Sequence, residues 1–274
     1  MKSGRISGAV KNIILFILLI IFLFPFLILV MNTFKTTQQF VESPISLPTQ
    51  FNLDNYGKAI DAMNFFSGFM NSFIITVAGV FIVVLFASMT AYLFARFKWK
   101  INKVLFFIMI ASMAIPFQVV MIPLVTIYGN LGFLDSRESL LFMYLGFGSP
   151  FAIFTFHGFI KGVPIALEEA ASIDGCSRLR TFFQIVLPLL KPVLSTVIVL
   201  DVLWMWNDYL LPSLILQSPG IRTLPLSTYN FFSSYSVDFT PLMAGLVMTI
   251  IPVLVLYLFL QKYIIEGISE GAVK

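Results

Sequence analysis

The chain has 274 residues, 59% of them hydrophobic and only 11% charged, with a mean hydropathy of +0.96. A soluble domain is nearer a quarter charged, so the composition describes a polytopic membrane protein. The net charge of +4 rests on basic residues in short inter-span segments, which excludes a nucleic-acid-sized surface, and a single cysteine (Cys176) and a single histidine (His157) exclude an internal disulfide and any multi-histidine metal or catalytic site.

Six spans follow in chain order. The basic start Met1 to Lys11 leads into an apolar run from about Asn12 to Met31. That run has no small-residue cleavage signal, so it reads as an uncleaved first span. A polar loop over 32–69 holds Pro44, Pro48 and Asn52 to Asn55, with one short helix near Tyr56 to Met63. The second span covers about Met70 to Leu93, with Gly79, Ala87 and Ala91 as close-packing points. The third, roughly Val104 to Ile127, contains Pro116, Gln118 and Pro123 and is expected to kink. The fourth, about Leu140 to Ile160, is expected to be broken by Gly146, Gly148 and Pro150. The fifth lies between about Pro192 and Leu211, and the sixth between about Leu242 and Leu260. A second outer loop covers 217–240, and Gln261 to Lys274 forms a short tail.

Lys and Arg set the orientation. Of the 17, 13 fall on the side that holds both termini and the segment 161–191, and 4 (Lys35, Lys58, Arg137, Arg222) on the other. Both termini are therefore expected in the cytoplasm.

The segment between spans four and five, Lys161 to Lys191, is too polar and too interrupted to cross a bilayer. Pro164 suits a first helical turn, and Glu168 and Glu169 follow at the favourable end of the helix dipole. Gly175 offers a break, and Ser177 a cap for a second helix that Pro188 interrupts. The pattern predicts two short helices on the membrane surface. Leu167, Ala170, Ala171 and Ile173 crowd one side of the first; Phe182, Phe183 and Val186 crowd one side of the second. Such faces suit a soluble partner, with Asp174 capping the turn or pairing with that partner; a structured loop without a partner is the plainer reading. The chain has no phosphate-binding G-x-x-x-x-G-K-[ST] loop, so any energy for work must come from another polypeptide.

Glu169-Ala170-Ala171, Gly175, Ile185 and Leu187-Pro188 resemble the "EAA" loop of permease subunits of binding-protein-dependent ABC importers. The likeness extends over essentially the whole chain and is nearest to the carbohydrate-uptake branch, within it to MalG-like maltose permease subunits. Asn52 to Tyr56, Ile115-Pro116 with Gln118, Trp206-Asn207-Asp208, Gln261-Lys262-Tyr263 and Gly271 to Lys274 support it. The resemblance implies an all-α, six-span type I ABC importer permease fold in one domain, with cytoplasmic coupling helices between spans four and five. It implies that Glu168 to Ala171, Asp174 and Gly175 dock on an ATPase, Glu169 as an ionic or capping contact and Gly175 fixing the turn. Glu266, Gly267 and Lys274 are candidate tail contacts with that ATPase. Cys176 stands where family members carry alanine and reads as packing. The implied partners are a second permease chain, a cytoplasmic ATPase dimer that binds ATP and magnesium, and an extracytoplasmic solute-binding protein, all at a bacterial or archaeal inner membrane. No cofactor, metal or bond chemistry is expected on this chain.

Within the membrane, Asp201 is the costly residue, because a charged group there faces a bundle interior or a cavity. Asp208 lies seven residues on, near the same helical face, with Trp204 nearby. In the family the fifth span lines the translocation path. One reading places Asp208, Asn207 and Trp206 on a sugar path; the other makes them a cap and interfacial anchor. Asp201 is open between a transport role and an inter-helix hydrogen bond. Gln118 is expected to tie helices together, with a substrate contact as the alternative. An importer of the same architecture for an amino acid, polyamine or phosphate remains the nearest alternative, and an ion-coupled secondary transporter a more distant one.

Overall fold

A computed structural model describes the backbone of residues 3–232 and 237–272, and the side chains of residues 8, 10–232, 237–259 and 261. The described chain is all helical, 81% helix, with one isolated antiparallel bridge between Phe232 and Val237. The helices in order are α1 (Ser3–Thr33), α2 (Thr37–Glu42), α3 (Asp54–Met63), α4 (Phe65–Arg96), α5 (Lys100–Ser112), α6 (Phe117–Asn130), α7 (Arg137–Gly162), α8 (Ala166–Ile173), α9 (Arg178–Thr181), α10 (Leu187–Leu189), α11 (Lys191–Asn207), α12 (Leu210–Ile215), α13 (Leu224–Ser227) and α14 (Phe239–Ala272).

Four of these, over Val10–Thr33, Phe65–Arg96, Arg137–Gly162 and Phe239–Phe259, are long and apolar enough to cross a membrane. Two further apolar pairs are bent, α5 with α6 by 103° and Arg178–Leu189 with α11 by 80°, so up to six spans exist if each pair is one. Helices are the economical choice for such sequences, because each segment satisfies its own N–H and C=O groups in lipid.

Two compact units make up the fold. The first comprises 1–66 and 227–252. Here none of the spanning window of α1 is buried within the chain, while Asn32 and Thr33 at its end are fully buried. The chain that follows is sewn to its end. Asn55 Nδ2 donates to the carbonyls of Thr33 and Lys35, both at 2.8 Å. The fully buried Lys35 gives its Nζ to the carbonyls of Ser43 and Pro44, at 2.9 and 3.2 Å. Burial in a site without a counter-charge lowers the affinity of that ammonium for its proton. The expected short helix in this loop is α3, ended by Asn64 in the left-handed region (φ 47°).

The second unit, 67–226 and 253–274, holds a core built on α4, α7 and α11. Gly79 of α4 is a close-packing point as expected: a Cβ there would lie 2.8 Å from Met205 Sδ. Ala87 and Ala91 are fully buried on the same helix.

Three expectations need correction. The third span is not one kinked helix: α5 stops at Ser112 and α6 restarts after Pro116, which cannot donate to the preceding turn. The fourth is unbroken. α7 runs through Gly146, Gly148 and Pro150, because a spanning helix tolerates proline where neighbours pack around it, and Gly148 lets Val83 and Trp204 approach to within 3.4 Å of where a Cβ would stand. The fifth helix ends at Asn207, and Leu211 belongs to α12.

Candidate functional site

The segment 161–191 folds as two short helical pieces about a turn. Glu168 and Glu169 occupy the first turn of α8, where free N–H groups favour negative charge. Gly175 takes φ +80°, a left-handed conformation that L side chains rarely adopt, with no neighbouring atom within 4 Å of a Cβ position. The Ser177 hydroxyl caps α9 by accepting from the Arg180 N–H at 3.4 Å. A π-turn over Phe182–Val186 follows, directly before Pro188, which has no N–H to give to a regular ladder.

The apolar faces divide differently from expectation. On α8, Ile173 is 86% exposed and Leu167 43% exposed, while Ala171 is buried. On the second piece, Phe182 and Val186 are buried in the chain's own core, and the Phe182 ring packs at a tilt against Tyr92, 5.3 Å between centroids. Only Phe183 of that expected partner face remains substantially exposed. The second piece is therefore anchored inward by Phe182 and Val186, while Leu179 and Phe183 on it and Leu167 and Ile173 on the first remain exposed.

Glu168 is committed inside the chain. Its Oε1 accepts from Arg96 Nε at 2.7 Å and its Oε2 from the Tyr92 hydroxyl at 2.8 Å, in a site where both charged side chains are about nine-tenths covered. Arg96 also donates through Nη2 to the Val163 carbonyl at 2.9 Å, at the C-cap of α7. One guanidinium thus joins α4, α7 and α8 through charge-assisted bonds. Glu169, Ala170, Asp174 and Gly175 are exposed. The sequence reading used Arg96 only for orientation and missed Tyr92. An arginine ending a long apolar helix was the available signal, but its partner is 72 residues away.

Among the candidate path residues, Asp201 and Trp204 come together on α11. With Phe147, Gly148, Phe151 and Leu200 they line a groove of about 320 Å³. Asp201 is 4% exposed, and its Oδ2 has no hydrogen-bond partner among the described residues. Trp204 packs edge-on against Tyr144 at 5.3 Å.

The others lie elsewhere. Asp208 does not share a helical face with Asp201, because the chain is already extended there; its carboxylate accepts from Tyr144 Oη at 3.0 Å and from the Leu211 N–H at 3.4 Å. It is a bridge and cap. Trp206 is buried against Phe69 at 5.6 Å, and Asn207 donates back to the Leu203 carbonyl at 2.7 Å. Gln118 is exposed on the first turn of α6. The side chain of Glu266, the position of Gly267's surroundings and all of Lys274 lie outside the described residues.

These features meet a known pattern. Residues 83–270 match the model of the binding-protein-dependent transport system inner membrane component. The chain belongs to that family. It is 46% identical, over the full length of both proteins, to the probable starch degradation products transport system permease protein AmyC of Thermoanaerobacterium thermosulfurigenes. It is 37% identical to the multiple sugar-binding transport system permease protein MsmG of Streptococcus mutans, covering 100% of this chain and 99% of that one. Against the diacetylchitobiose uptake system permease protein NgcG of Streptomyces coelicolor the identity is 32%, covering 98% and 90%. Among solved structures, a chain of a bacterial ABC transporter that imports the acidic polysaccharide alginate superposes with a TM-score of 0.83 at 25% identity, covering 96% of this chain and 98% of that one. The fold is that of a type I importer permease, and the chain is a membrane transport subunit.

Proposed function

We propose that this chain is one of two permease subunits of an ATP-driven carbohydrate importer, and that 161–191 is its coupling element. The observation that carries the reading is the division of that element into a tethered root and an exposed tip. Glu168 and Phe182 fix the root to the chain, while Ile173 and Gly175 stand out on the other side. A groove in an ATPase that received the tip would move the root, and α4 and α7 with it. The saccharide-transport names of the relatives and the alginate importer support the substrate class.

In this reading both termini and the coupling element face the cytoplasm, six spans cross the membrane with α11 as the fifth, and a second permease completes the path. A cytoplasmic ATPase dimer binds the ATP and magnesium, and an extracytoplasmic binding protein delivers the sugar. Closure of the ATPases pulls the element inward and turns the sugar site outward; hydrolysis resets it. Asp201 and Trp204 serve that site, a carboxylate and an aromatic face being suited to a polyol. Asp208, Asn207 and Trp206 hold the outer end of α11.

The test is co-purification of the solubilised chain with its ATPase after substitution at Gly175. Gly175→Asn, which tolerates the left-handed turn, should keep the ATPase and most uptake. Gly175→Arg should lose the ATPase while the chain still inserts and elutes as a folded species. Retention of the ATPase and of sugar uptake by Gly175→Arg would sink the coupling assignment.

A further inference from the structure

A second groove, of about 460 Å³, lies between the turn before α5 and the end of α7. Four lysines, Lys98, Lys100, Lys103 and Lys161, line it. Among the described residues none of them is paired with a carboxylate. The floor is aromatic, formed by Phe94, Phe106 and Phe107 with His157 against Phe106 at 4.0 Å. Trp99, 57% exposed, stands at the rim, in the position typical of a side chain at a membrane interface. Asn102 is buried beneath and donates to the Phe97 carbonyl at 2.8 Å, which ties the turn that carries Lys98 to the start of α5, where Lys100 and Lys103 stand. α5 begins at this groove without a side-chain cap on its N-terminus, which adds partial positive charge.

One wall continues along α5 as an apolar outer face: Ile101, Val104, Phe107 and Ile108 are all more than half exposed. A solvated basic patch has no such continuation. We infer that the groove binds the headgroup of an anionic phospholipid, its phosphate among the four lysines and its acyl chains along the outer face of α5. Charge complementarity fixes the headgroup, and the unbroken passage from lysines to the exposed apolar residues of α5 selects a lipid over free phosphate or an acidic protein surface. The lipid braces the α4–α5 turn against α7.

The test is native mass spectrometry of the intact transporter complex, titrated with phosphatidylglycerol or with phosphatidylcholine of the same chains. Wild type should retain phosphatidylglycerol in preference. A lysine near an anionic surface is worth roughly a fivefold change in affinity, so Lys98→Gln with Lys103→Gln should weaken retention by about twenty-fivefold, with unchanged phosphatidylcholine binding and elution volume. Inorganic phosphate at millimolar concentration should not displace the lipid. Equal retention of both lipids by wild type, or an unchanged preference in the double variant, would overturn the inference. So would displacement by phosphate alone, which would make this a phosphate site. Loss of the ATPase from the double variant with its lipid preference intact would assign the lysines to that partner instead. Lys100→Arg, which keeps the charge, should bind as wild type does.

Discussion

Two acidic residues in the second unit are both nearly buried and have opposite surroundings. Glu168, at the basic end of the bundle, has each carboxylate oxygen occupied by a donor from α4, at 2.7 and 2.8 Å. Asp201, in the middle of α11, has an oxygen with no donor among the described residues, opening on a groove walled by Phe147, Phe151 and Trp204. A buried charge with all its partners is a joint: it fixes one arrangement of helices, and removing one side leaves the other stranded. A buried carboxylate oxygen without a partner weakens the fold and leaves an acceptor free for a group from outside the chain. In the proposed function the first serves transmission and the second recognition.

The largest effect should come from breaking the joint. Glu168→Gln leaves the Arg96 guanidinium 12% exposed without a counter-charge, at a cost of about 3 kcal/mol. The thermal midpoint of the complex should fall, and ATP hydrolysis should persist while sugar uptake per ATP drops severalfold. Exchanging the pair, Arg96→Glu with Glu168→Arg, should recover part of the midpoint. If Glu168→Gln lowered stability while leaving uptake per ATP unchanged, the bracket would be structural only and the contrast with Asp201 would lose half its meaning.

Asp201→Asn should move stability the other way, raising it by about 1 kcal/mol because an amide is less costly to bury than an unpaired carboxylate. Uptake should show a raised KM for the sugar with the ATPase still docked. A destabilised Asp201→Asn would mean that the carboxylate has a structural partner after all.

The sequence made the spans and the motif legible, and it did so because both signals are local. Runs such as Phe65–Arg96 declare themselves by hydropathy alone, and the turn at Gly175 and the cap at Ser177 depend on residues within three positions. What was not legible depends on distance. Glu168 is drawn to Tyr92 and Arg96 by packing between helices 72 and 76 residues apart in sequence. The apolar side of Phe182 and Val186 was correctly seen as a face, but periodicity does not say which body covers it, and here it is the chain's own core, with Tyr92 of α4 against Phe182. Proline misled in both directions: Pro150 passes inside a continuous helix, whereas the Met113–Pro116 break turns the third span by 103°. A missing N–H permits a bend, and the neighbours decide its size.

Asp208 sharpens the comparison at smaller scale, being neither stranded like Asp201 nor ion-paired like Glu168. Its bonds to Tyr144 and Leu211 are single neutral-donor contacts, so Tyr144→Phe should cost about 1 kcal/mol. Sugar affinity should be unchanged, because the structure gives the Asp208 carboxylate to the end of α11. A large rise in KM in Tyr144→Phe would instead return Asp208 to the path.

The smallest effect belongs to a carboxylate outside the spans. Asp135, in the turn between α6 and α7 at φ 58°, accepts from the Ser218 hydroxyl and from the backbone N–H groups of Ser218 and Gln217, at 2.7 and 2.8 Å. Those donors, the Ser218 hydroxyl foremost, hold its pKa below the ordinary 3.8. A depressed carboxylate stabilises the fold fully above its unfolded pKa and ceases to do so as pH falls through the lower folded value. Between pH 5 and 8 the contribution is therefore constant, and Asp135→Asn should lower the thermal midpoint by the same small amount throughout. Below about pH 3.8 the two proteins should converge, because the wild-type carboxyl is then gaining the proton that the amide never needs. The residue is exposed, so salt and water trim the effect. A difference that instead grew on acidification would show that the turn prefers the protonated side chain, and that Ser218 is held by something other than the charge on Asp135.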